Sequence, residues 1–100
     1  MKKFELAVKI IVDEQEKELT GYYQDWGIET WTDMLEAYGQ DSQDFKEDVI
    51  YMLNDYSNEN NVNLYLNDSN ELEDEEGNFI SYRKIINAVR KEMKNRGLLA

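Results

Sequence analysis

Residues 81–97, SYRKIINAVRKEMKNRG, set Tyr82, Ile85, Ile86, Val89 and Met93 at the spacing of one helix face. Arg83, Lys84, Arg90, Lys91 and Lys94 occupy the opposite face, and Gly97 supplies the C-terminal stop. A segment divided in this way must lay its apolar stripe on a core provided by the rest of the chain. Its basic residues also suit the negative end of the helix dipole.

The rest of the chain offers partners for that stripe. Residues 4–12, FELAVKIIV, alternate Phe4, Leu6, Val8, Ile10 and Val12 and are rich in β-branched types, which predicts a strand; Phe4, Ala7, Val8 and Ile11 would also suit a helix. Residues 13–29 fit either a short helix, started by Asp13 with Glu16 completing a capping box, or a loop. Thr30 as N-cap and Gly39 as stop delimit a short helix with Trp31, Met34, Leu35 and Tyr38 on one face. Residues 42–57 put Phe45, Val49, Met52, Leu53 and Tyr56 on one stripe, a longer helix that runs into asparagine-rich sequence. NVNLYLN alternates as a strand, and NELEDEEGNFI reads as two more, joined by a turn at Glu76-Gly77-Asn78. The expected fold class is α+β: one small domain with an N-terminal strand, two to three helices, a small β-meander and the C-terminal amphipathic helix.

Leu, Ile, Val and Phe number 24 among 100 residues, above the level of roughly 20 per cent below which highly charged chains stay disordered. There is no histidine and no cysteine. The commonest general base, the usual zinc ligands, the Ser-His and Cys-His pairs and any disulfide framework are therefore absent. No P-loop, G-x-G-x-x-G or G-x-S-x-G occurs. An EF-hand aligned on Gly77 would need an acid where Leu72 stands. The expectation is a non-enzymatic protein with no cofactor. The basic and apolar start is followed at once by acids, with no small-residue cleavage site, and nothing approaches the roughly 20 apolar residues of a membrane span. A soluble, cytoplasmic chain is expected.

The net charge of −11 is unevenly spread. Residues 1–12 carry +2, residues 13–80 carry −18 and residues 81–100 carry +5. Asp44, Asp48 and Asp55 fall at i, i+4 and i+11 of the second helix, flanked by Asp41 and Glu47, and Tyr51 shares their stripe. Like charges so placed cost a few tenths of a kcal/mol per pair, so folding gains nothing from them and a partner could use them. Glu29, Asp33 and Glu36 lie on the preceding helix, and Glu71, Glu73, Asp74, Glu75 and Glu76 crowd one hairpin. Together these carboxylates are the candidate binding residues for a basic, nucleic-acid-binding protein such as a nuclease or transcription factor. Duplex DNA presents one charge per roughly 1.7 Å, whereas a helix stripe with one acid per turn supplies one per about 5.4 Å, so several acidic elements would have to act side by side. The plainer alternatives are a solvated hairpin, and a basic face that partly neutralises an acidic body. Tyr22, Tyr23, Trp26, Trp31 and Tyr38 are candidates for core or for a protein-binding surface.

In composition, and in the stretches DSQDFKEDVIYMLNDY and ELEDEE, the chain resembles the small acidic anti-CRISPR and antirestriction proteins of phages and mobile elements, several of which imitate DNA in charge. That resemblance implies an inhibitor of a nucleic-acid-guided or other DNA-binding enzyme, acting in a bacterial host cell. The basic last helix departs from a uniformly acidic mimic. Direct nucleic-acid binding is disfavoured because most of the chain repels phosphate. The alternative reading is a self-associating or adaptor protein, with the basic helix of one copy on the acidic body of another in a homodimer.

Overall fold

A computed structural model describes residues 2–20 and 43–98. Within them the order is α1 (Lys3–Thr20), α2 (Gln43–Asn60), β1 (Glu71–Glu73), β2 (Phe79–Ser81) and α3 (Tyr82–Asn95). The class is α+β. Helix α1 lies between the other two helices and packs more extensively on α3 than on α2. One core joins Ala7, Ile11 and Val12 of α1, Val49 and Leu53 of α2, Leu64, Leu72 of β1, and Ile85, Ile86, Val89 and Met93 of α3.

Residues 4–12 are helical, not the expected strand. In a strand the set Phe4, Leu6, Val8, Ile10, Val12 would share one face, and Ala7 and Ile11 would point the other way. Instead Ala7 and Ile11 are fully buried while Leu6 is half-exposed, the order a helix gives. The magnitudes explain the outcome. Each of the four β-branched residues Val8, Ile10, Ile11 and Val12 gives up at most about 0.7 kcal/mol of helix propensity. Full burial of such a side chain contributes about 1.5–3 kcal/mol. A helix flanked on two sides buries a wide arc, so alternate and adjacent positions both go inside. The helix also runs unbroken through Asp13, which therefore starts no new helix and caps nothing. Residues 21–29, the expected helix at 30–39 and the aromatic set at 22–38 lie outside the described residues.

Helix α2 continues three residues past its expected end and stops at Asn61, whose φ of 55° is a left-handed conformation that asparagine tolerates. The alternating stretch after it forms no strand of its own. Leu64 is buried, but pairing is limited to one bridge, Leu66 to Leu72. The side chain of Asn67 accepts the N–H groups of Ser69 and Glu71 at 2.9 Å each and turns the chain before a ladder can extend. The expected meander is thus a two-stranded antiparallel sheet with Glu71, Leu72 and Glu73 opposite Ser81, Ile80 and Phe79.

Helix α3 has the termini its sequence implies. Ser81 accepts the N–H of Lys84 at 3.2 Å, an N-cap. At the other end Leu98 N–H reaches Met93 O at 2.9 Å and Gly97 N–H reaches Lys94 O at 3.0 Å. With φ of 75° at Gly97, this is a Schellman ending, completed by Leu98 packing on the core.

Candidate protein-binding face

Helix α2 buries Val49 and Leu53 and half-buries Met52 and Tyr56, which turns its acidic row outward. Glu47, Asp48 and Asp55 are exposed, and Tyr51 stands among them at 70% exposure. Asp44 belongs to the same helix, but its side chain, like all of Asp33, Glu36 and Asp41, lies outside the described residues. Glu59, four residues beyond Asp55, extends the row by one turn; it lies past the helix end expected at residue 57, so the row read from the sequence stops at Asp55. A shallow cleft of about 130 Å³ between α1 and α2, lined by Ile10, Glu14, Met52, Asp55, Tyr56 and Glu59, brings in a further carboxylate from α1. Glu14 is invisible to a reading that ends a strand at residue 12. Among the described residues no group of acids is arranged to hold a metal ion.

The hairpin's five carboxylates have different roles. Asp74 builds the turn: its Oδ1 accepts the N–H groups of Glu76 at 2.9 Å and Asn78 at 2.8 Å, while Gly77 takes φ of 82°. The turn therefore starts at Asp74, ahead of the expected Glu76-Gly77-Asn78. The Asn78 N–H, with lesser help from Glu76 and Lys2, holds the Asp74 carboxyl below its ordinary value. Glu75 accepts the backbone N–H of Lys3 and so places negative charge at the N-terminus of α1, where the dipole favours it. Glu71 accepts from Asn67 Nδ2 at 3.3 Å. Glu73 and Glu76 are exposed and serve neither the turn nor the helix end.

The basic helix is also divided. Arg83, Lys84, Lys91 and Lys94 face solvent, whereas Arg96, just past the helix, is three-quarters buried against α1. Its Nη1 donates to Asp13 Oδ1 at 2.7 Å and Glu16 Oε2 at 3.0 Å, and its Nε donates to Glu92 Oε1 at 3.1 Å. Asp13 also takes Lys9 Nζ. Burial pushes the Asp13 carboxyl up, but the Lys9 and Arg96 hydrogen bonds and charges together outweigh it and leave the group below its ordinary value. A carboxyl lowered on folding stabilises the fold above its unfolded value, near pH 4, and that stabilisation is lost as pH falls through the folded value. Asp13→Asn is accordingly expected to melt lower than wild type at neutral pH, with the gap closing below about pH 4. Thermal midpoints of the two chains across that range check this; the comparison is needed because protonation of other acids relieves self-repulsion in both.

These surfaces hold exposed carboxylates and, at Tyr51, an exposed aromatic ring. No helix among the described residues is long and apolar enough to cross a membrane. Comparison of the chain with protein-family models, curated proteins and solved structures finds no match.

Proposed function

We propose that the protein is a non-enzymatic inhibitor that binds a basic, nucleic-acid-binding enzyme, such as a CRISPR or restriction nuclease, in the cytoplasm of a bacterial host cell. The observation that carries this reading is the outward row of Glu47, Asp48, Asp55 and Glu59 on α2, with Tyr51 at 70% exposure in its midst. Folding gains nothing from like charges at helical spacing, and an exposed tyrosine is the kind of residue that dominates binding energy at interfaces. Glu14, which Lys17 pairs at 3.3 Å, adds one carboxylate from α1 across the cleft. Steering by the net −11 would speed encounter with a cationic groove.

Capture from a bacterial lysate at low salt tests this reading. A nucleic-acid-processing enzyme should be retained by the wild-type chain, released by added duplex DNA and lost when Asp48 and Asp55 are both changed to Lys. Retention that survives this change, or that DNA does not compete, excludes the acidic row as a replica of nucleic acid.

A further inference from the structure

The outer face of α2 matches a groove elsewhere on the same molecule. That groove, about 490 Å³, runs between α1 and α3 and is lined by Phe4 and Val8 from one side and Ala88 and Lys91 from the other, with Lys9 and Arg96 in its wall and the carboxylates of Glu5 and Glu92 beside them; Lys84 lies beyond its end. Lys9 and Arg96 are already engaged with Asp13, Glu16 and Glu92. Lys84 and Lys91 are exposed, one turn to either side of Ala88, and none of the ion pairs among the described residues involves them. The same holds for Asp48 and Asp55, which stand one turn to either side of Tyr51.

The spacings coincide. From Asp48 to Tyr51 is three residues and on to Asp55 four; from Lys91 back to Ala88 is three and on to Lys84 four. Two helices with these patterns, laid antiparallel, bring Asp48 to Lys91, Tyr51 to Ala88 and Asp55 to Lys84, because equal residue steps give equal rise and rotation. The charge pairs then lie about 10 Å apart along each helix, with the ring of Tyr51 between them over the apolar floor.

We infer that a second copy of this chain is the occupant: α2 of one copy seats in the α1–α3 groove of another, with Tyr51 as anchor and two aspartate–lysine pairs fixing direction and register. Rim ion pairs contribute little individually, so the tyrosine supplies most of the affinity and the charges supply the specificity. Two chains of −11 repel at long range, and screening beyond about 8 Å at physiological ionic strength removes much of that repulsion while sparing contact pairs. A contact of this kind is expected to be weak, with a Kd on the order of 0.1 mM. Self-association needs no nucleic-acid-binding target, yet it covers Asp48, Tyr51 and Asp55, so it competes with any basic partner for the same face.

Sedimentation velocity in physiological salt, at concentrations from about 10 µM to about 1 mM, tests the pairing with two charge-reversed chains. The wild-type mass should rise with concentration. D48K/D55K alone and K84E/K91E alone should each stay monomeric, and an equal mixture of the two should recover a 1:1 pair, because the reversed face of the first fits the reversed groove of the second and the unchanged face of the second fits the unchanged groove of the first. Adding Tyr51→Ala to both chains should abolish that recovery. A monomeric wild type throughout, a reversed chain that associates like wild type, or a mixture that stays monomeric would each overturn the assignment. K84E/K91E keeps the acidic row intact, so its DNA-competed capture of a basic enzyme reports on the proposed function whichever way the sedimentation result falls.

Discussion

Ile11→Ala is expected to destabilise the protein by about 2–5 kcal/mol, and Leu6→Ala by clearly less. Ile11 is fully buried on the helix that touches both α2 and α3, so its loss leaves a cavity in the core the three helices share. Leu6 is only partly buried and packs at the margin of the core. The pair discriminates sharply between conformations of this segment. An N-terminal strand with Phe4, Leu6, Val8, Ile10 and Val12 inward would make Leu6 the costly position and Ile11 the tolerant one. Urea denaturation of both variants measures the order directly. A loss of around 3 kcal/mol is a large part of the 5–15 kcal/mol typical of a whole domain, so the urea midpoint of Ile11→Ala should fall well below that of wild type.

That contrast also marks where the sequence is legible and where it is not. Helix α3 is readable from end to end, because its charge and apolar faces separate cleanly and Gly97 terminates it by a backbone requirement no other residue meets as cheaply. Helix α2 is readable for the same reason, apart from its last turn, since Asn61 carries the stop and asparagine is a weaker signal than glycine. Residues 4–12 are ambiguous because both periods are present in one apolar run; only the number of neighbours, set by tertiary structure, decides between them. The acidic row on α2 follows from spacing alone as far as Asp55. Glu14 and the α1–α3 groove do not, because each depends on two helices brought together from distant parts of the chain. The hairpin shows a third kind of limit. Asp74 and Glu75 look like any other members of an acidic run, and only their backbone partners, Asn78 and Glu76 for one and Lys3 for the other, reveal that they serve the fold while Glu73 and Glu76 are left to solvent.

Ser57→Ala is expected to cost about 1–3 kcal/mol, more than removal of a hydroxyl from an exposed helix position. Ser57 is 3% exposed, and its Oγ has two duties. It donates to Leu53 O at 2.7 Å and accepts the N–H of Leu64 at 3.1 Å. Leu53 O keeps its helical environment without the hydroxyl, but Leu64 is fully buried, so its N–H would be stranded away from water and carry its desolvation cost unrelieved. The consequence is local as well as global. Leu64 anchors the segment that brings Leu66 to its bridge with Leu72, so loosening it frees the first attachment of the hairpin to α2. Hydrogen exchange should therefore show the Leu64 amide losing protection in Ser57→Ala well before the amides of α3 do. Equal loss at both sites would mean that Ser57 contributes only to global stability and does not tie the hairpin to α2.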